Sequence, residues 1–233
     1  MRAGAISLLP AVSKLNRWVR RIQDLLLASP VQDAAGHLSE RQYRENAMAA
    51  VRQYSRGIPR RLLREQVLTE SEWEYDIPPD WVNEFSQFEG IEFPVDDSLQ
   101  TREWLDLAAG LAIDERRGKW RFTADLPVSG DTARLYYTAE HALDDYSDTV
   151  PARHFEATAM HAAGLCLLEL ANPAAGRSGP AIEAGAIERR TQQEQCHACG
   201  KAMIQQAERG WGYTRSWSVG PEPFRGPTSR RRG

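Results

Sequence analysis

Apolar residues recur along this chain with two different periods, and the change of period divides it. Residues 12–28 set Val12, Leu15, Val19, Ile22, Leu25 and Leu26 on one side of a helix. Pro30 and Gly36 end that helix and open a loop. Ser39-Glu-Arg-Gln42 has the form of a capping box, so a second helix is expected from there to Tyr54. Its buried stripe would be Tyr43, Ala47, Ala50, Val51 and Tyr54, and Gly57-Ile-Pro59 stops it.

Period two follows. Residues 63–68 and 73–77 alternate as two short strands joined by a polar turn at Thr69-Glu-Ser71. Pro78-Pro79 cannot stay in a ladder. Asp80 is placed to cap a short helix carrying Trp81, Val82 and Phe85, with Trp81 and Phe85 buried. Gly90 breaks this helix, and Ile91-Glu-Phe93 forms a strand closed by Pro94. Residues 98–110 stay open between a short helix and a loop. Residues 111–113 and 119–123 flank Asp114-Glu-Arg-Arg-Gly118, a hairpin signal. A turn at Ser129-Gly130 leads to a further strand over residues 133–138. Together these predict an antiparallel meander with alternating faces.

Helix returns after Pro151, a good first-turn residue. Residues 152–171 carry Phe155, Ala159, Ala162, Ala163, Cys166, Leu167 and Leu170, whose small members allow close packing. A Gly/Ala/Pro loop from Asn172 to Gly185 precedes a last helix, about 186–208, which Gly210 ends. The remaining residues lack any period and are expected to be disordered alone. The predicted fold class is α+β, with helices at both ends around a small antiparallel β-sheet or meander and an extended C-terminal tail. The expected divisions are an N-terminal helix and linker (1–36), an α+β domain (37–209, β-rich over about 61–140) and a flexible aromatic and Arg-rich tail (210–233).

An apolar fraction of 42% with 26% charged residues is that of a soluble globular protein. No apolar run reaches the ~18 residues of a membrane span. The first ten residues faintly resemble a signal peptide, but the apolar stretch is short and Lys14, Arg17, Arg20 and Arg21 follow at once, so none is expected. Three Cys are too few for a disulfide scaffold, which fits a reducing cytoplasm.

The distribution of charge says more than its net value of −3. Both ends of the chain are basic. Between Glu65 and Asp97 lie eleven Asp or Glu and no Lys, Arg or His. Such a chain is suited to associate head to tail with copies of itself or with neighbours, although solvated faces carry the same charges.

Candidate chemistry is sparse. Cys196-His197-Ala-Cys199 offers zinc ligands, but no second pair lies at suitable spacing, and both Cys share one face of a predicted helix. His154 and His161 stand too far apart to share a metal along one turn. Asp144, Asp145 and Asp148 lack the Gly and terminal Glu of a calcium loop. No nucleophile elbow, phosphate loop or dinucleotide fingerprint occurs. Neither an enzyme nor a cofactor is expected. In the tail, Trp211, Tyr213 and Trp217 alternate with Arg209 and Arg215, and Arg230, Arg231 and Arg232 follow. Aromatics with basic groups suit nucleic acid, and they suit docking on another protein equally. The acidity of the centre favours docking.

Several segments in order resemble the head-to-tail adaptor (connector, or neck) proteins of tailed phages. They are Tyr54-Ser-Arg-Gly-Ile-Pro-Arg60, Ile77-Pro-Pro-Asp-Trp-Val-Asn-Glu-Phe-Ser86, Ile91-Glu-Phe-Pro94, Trp120-Arg-Phe122, Tyr137-Thr-Ala-Glu-His141 and Thr149-Val-Pro151. The resemblance covers roughly residues 40–208, and Cys196–Gly200 departs from the polar last helix of that family. It implies a structural virion protein at the neck, made in the host cytoplasm, forming a ring of copies that is usually dodecameric in the family. The ring would sit beneath the portal protein, extend the DNA channel without sequence-specific binding, and meet a tail terminator or tail-tube protein; no membrane is involved. A tail-completion or terminator ring subunit and a small DNA-binding packaging factor are the alternatives. Portal docking would fall to Trp211, Tyr213, Arg215, Trp217, Phe224, Arg230, Arg231 and Arg232. The channel wall or the inter-subunit contact would use Glu70, Glu72, Glu74, Asp76, Glu84 and Glu89, whose charge would repel DNA and let it slide.

Overall fold

Ser13 opens the first helix by accepting a hydrogen bond from the Asn16 amide (3.2 Å), which satisfies one of the free donors of the first turn. The computed structural model describes residues 13–31, 37–69, 72–93, 95, 110–123, 131–172 and 183–212. Among these, helices α1 (Lys14–Leu27) and α2 (Glu40–Gly57) come first. Six strands follow: β1 (Arg60–Val67), β2 (Glu74–Asp76), β3 (Phe88–Glu92), β4 (Leu111–Asp114), β5 (Lys119–Phe122) and β6 (Thr132–Ala139). Helices α3 (Ala152–Ala171) and α4 (Glu183–Gly210) complete them. The fold is α+β, with helices at both ends of the chain around antiparallel strands.

The chain forms two compact units. One holds the four helices, the other the six strands. The first helix therefore packs with the helical unit and is not a separate segment before it.

In the helical unit most of the apolar stripe positions are buried as expected; Leu25 and Leu170 are only half-buried, and Val12 lies outside the described residues. Leu15, Val19, Ile22 and Leu26 are buried on α1, together with Trp18, which the stripe had not included. On α2 the buried set includes all five expected residues. The capping box forms: Ser39 Oγ accepts from the Gln42 amide, and Gln42 Oε1 accepts from the Ser39 amide. The Trp18 indole meets Phe155 edge-on (4.8 Å) and donates to Asp148 (2.9 Å). Glu169 on α3 accepts from Gln42 and Asn46 on α2, which aligns the two helices. Where the chain leaves α2 and returns after β6, Ser55 Oγ accepts from the His141 amide (2.9 Å), and Tyr54 packs on the His141 ring.

Helices α3 and α4 cross at two glycines. A Cβ at Gly164 would stand 2.7 Å from the Gly200 carbonyl oxygen and 2.7 Å from Ile204. A Cβ at Gly200 would meet the Gly164 carbonyl at 2.8 Å. Gly200 thus marks the place where the backbones touch, which accounts for its presence in a helix expected to be polar.

The β unit holds two three-stranded antiparallel sheets, ordered β1-β6-β3 and β2-β5-β4. The expected pairing of residues 63–68 with 73–77 does not occur, and no meander runs from β5 into β6. Strand β1 pairs with β6 along its whole length, while β2 pairs with β5. The β4–β5 hairpin is as expected, and Gly118 takes the left-handed φ of +65° that its turn requires. Gly90 lies inside β3, at a register shift against β6, and does not end an element. The two apolar clusters are Leu68, Tyr75, Ile91, Trp120, Phe122, Ala133 and Leu135, and Trp81, Tyr137 and Ala139.

A candidate interaction surface on the β unit

The Pro-Pro-Asp-Trp segment is a pair of turns and not a short helix. Trp81 donates back to the Pro78 carbonyl (3.0 Å), and Phe85 and Ser86 both donate to the Val82 carbonyl. The Ser86 hydroxyl takes the Val82 amide, and Glu84 adopts φ of +65°, a left-handed conformation that ends helical continuation. Trp81 is buried against Phe88 and Tyr137, whereas Phe85 is half-buried.

One carboxylate straps this segment down. Glu115, in the turn of the β4–β5 hairpin, accepts from the Trp81 indole (3.3 Å) and from the Glu84 amide (3.2 Å), and its carbonyl accepts from Asn83. Nothing in the sequence singles out Glu115, because an Asp-Glu pair before two Arg in a turn is the signal of any solvated hairpin. Replacing it by alanine is expected to cost about 1–2 kcal/mol by removing the acceptor of the Trp81 indole and the Glu84 amide, while the backbone carbonyl keeps Asn83. Urea denaturation checks the cost, and near-ultraviolet circular dichroism reports the loosened Trp81.

The acids of this region are mostly neutralised within the unit. Glu74 holds Arg117 through two bonds (2.9 and 2.8 Å). Asp76 meets Lys119 at 2.7 Å, and that hydrogen bond holds its carboxyl below the usual range. Glu89 pairs with Arg61 at 3.0 Å, and Glu65 with Arg134 at 2.9 Å. Glu92 is buried and accepts from Tyr136. Glu72 and Glu84 are exposed, while Glu70 lies outside the described residues. Cross-strand pairs of opposite charge stabilise a sheet and cancel its field at a distance, so Glu74, Asp76 and Glu89 add little to a repulsive wall.

Of the docking candidates, Trp211 is taken up inside the helical unit. Its ring stacks on His161 (5.0 Å, 16°), meets Tyr54 edge-on (5.4 Å), and donates to Thr158. Tyr213, Arg215, Trp217, Phe224, Arg230, Arg231 and Arg232 lie outside the described residues.

No family model, curated protein or solved structure matches this chain.

Cys196 is buried, Cys199 is half-buried and His197 points to solvent, so the three do not converge. Burial pushes the thiols of both Cys196 and Cys199 up. Among the described residues no three His, Cys, Asp or Glu are grouped to hold a metal. The three aspartates after β6 are all engaged: Asp144 caps the Tyr146 and Ser147 amides, Asp145 accepts from Ser13, and Asp148 from Trp18.

Two open grooves stand out among the described residues. One, about 910 Å³, lies in the β unit between the Trp81 turn and the β4–β5 hairpin, flanked by Phe88, Arg116 and Arg121. The other, about 550 Å³, runs along the basic face of α1, where Lys14, Arg17, Arg20 and Arg21 gather beside Phe155. Arg17 stacks over the Phe155 ring (4.3 Å), and Arg21 pairs with Glu156.

Proposed function

We propose that this chain is a structural virion protein, a head-to-tail adaptor whose copies form a ring between the capsid portal and the tail. The observation that carries the reading is the ordered resemblance of six segments to that family. Five of those segments sit at structural joints, namely the α2–β1 passage, the Trp81 turn, the end of β3, the end of β6 and the start of α3, and the sixth lies in the central strand β5. Residues at joints set a fold's geometry, so agreement there carries more weight than agreement on solvated faces. Exposed Leu63, Val67, Trp73 and Ile113 on the β unit supply apolar groups of the kind that protein interfaces bury.

In this role the docking task falls to the tail beyond Trp211. Electron microscopy of the full chain mixed with its portal is the test. Rings seated on the portal support the reading, and a chain that stays unassembled in the presence of both portal and tail overturns it. The basic groove on α1 favours one competing reading, a small DNA-binding packaging factor. Tight binding to duplex DNA by a monomer, weakening steeply with salt, would establish that alternative.

A further inference from the structure

Strand β1 is an edge of its sheet, and its backbone alternation is fixed by its neighbours. The Leu68 amide donates to the Asp131 carbonyl (2.8 Å), one step beyond the Val67↔Thr132 pair. On the other side of β6, the Thr138 amide donates to Gln87 (2.9 Å), so Thr138 turns away from its β1 partner Arg61. Even-numbered residues of β1 therefore bond to β6, and Arg61, Leu63, Glu65 and Val67 direct their amides and carbonyls to the open edge. The side chains of the same residues face solvent: Leu63 is 51% and Val67 59% exposed, and the Arg61 and Glu65 side chains 67% and 56%. Among the described residues no strand covers this edge. An open edge bearing exposed apolar groups is a template for another strand.

We propose that the occupant of this edge is β1 of a second copy, paired antiparallel about a two-fold axis at Leu63. The order Arg61, Leu63, Glu65 is self-complementary. Read against itself, it sets Arg61 of each copy opposite Glu65 of the other, and Leu63 opposite Leu63. All three pairs then fall at hydrogen-bonded positions, each exchanging two backbone bonds. Like faces continue across the join, so the row Glu92, Arg134, Glu65 of one copy runs on into Arg61 of the next.

The register is limited at both ends. The next pair would be Pro59 with Val67, and Pro59 has no amide while the Val67 carbonyl already accepts from Gln66 (2.9 Å). The result is a six-stranded sheet, β3-β6-β1 continued by its two-fold mate. This pairing is independent of the adaptor role. A two-fold contact joins copies in pairs, and a ring needs a separate head-to-tail contact.

Sedimentation equilibrium of the full chain over a wide concentration range tests the proposal, with Leu63→Pro as the first variant. Proline there removes only an outward amide, so the ladder to β6 stays intact, while dimerisation weakens on the order of thirtyfold. Cross-linking tests it without relying on that variant. Under mild oxidation Leu63→Cys is expected to form a covalent dimer, because only residue 63 meets itself, and Glu65→Cys is not. The wild-type chain, with its native cysteines, sets the background. A monomer at every concentration, a dimer unchanged by Leu63→Pro, or equal cross-linking at 63 and 65 overturns the proposal. So does a strand from a different protein found on this edge.

Discussion

Replacing Gly164 by alanine is expected to destabilise the protein by about 3 kcal/mol, although the same change inside most helices is stabilising by about 1 kcal/mol. The added carbon would lie 2.7 Å from the Gly200 carbonyl oxygen, a backbone atom that cannot turn aside, and at the same distance from Ile204. Helices α3 and α4 must then separate, and the buried row of Ala159, Ala163, Cys166 and Leu167 loses its packing. Gly200→Ala meets the mirror contact and should behave alike. Thermal and urea unfolding of the two variants checks both sign and size. A gain in stability for either variant would mean that the backbones do not approach as described.

Acidification should weaken the helical unit through His161. Burial, opposed in part by the Glu208 carboxylate, holds this imidazole well below its ordinary value, at about 4. The residue is 4% exposed, its ring stacks on Trp211, and its Nδ1 has no hydrogen-bond partner among the described residues. In the unfolded chain the same group takes up a proton near pH 6.5. Between those values the unfolded state binds more protons than the folded one, so stability falls as pH falls. The contribution is intact above pH 6.5 and spent below about 4, a loss of about 3 kcal/mol. His161→Phe keeps a ring against Trp211 and removes the titration. Urea denaturation of both proteins from pH 7.5 to 4 should therefore show a steeper decline for the wild type. Parallel curves would place the acid sensitivity elsewhere.

Local signals in this sequence were legible, and long-range partners were not. Ser39 and Gln42 bond to each other three residues apart, so the capping box could be read directly. Gly118 is in a short turn between two alternating runs, which announces its hairpin. The alternation of residues 60–67 likewise announces a strand, but its partner lies some 70 residues on, and nothing in an alternating pattern names the strand it pairs with. The meander and the β1–β2 hairpin, both expected and neither formed, share that cause. At Trp81, spacing suggested a helix, yet the Ser86 hydroxyl and the left-handed Glu84 decide for turns, and neither is visible as a period.

The candidate surface shows the same limit in its charges. An acidic run is plain to see, but Arg61, Arg117, Lys119 and Arg134, which neutralise much of it, come from outside the run. Trp211 looked like part of an aromatic and basic tail because its neighbours are of that kind. Its position just past the end of α4 carries it instead onto Tyr54 and His161.

The bond between Ser55 and His141 bears on the order in which the chain folds. Residues 58–140 form one uninterrupted stretch and hold every described pairing between β strands, so the two sheets can form as soon as that stretch is synthesised. The helical unit cannot. Its α1 and α2 keep their apolar stripes open until α3 and α4 arrive, after the whole intervening stretch. Closing so long a loop carries an entropic cost that grows only slowly with its length. Ser55 and Tyr54 offset part of that cost at the neck of the loop, where one hydroxyl and one ring hold His141, and the packing of the helices supplies the rest.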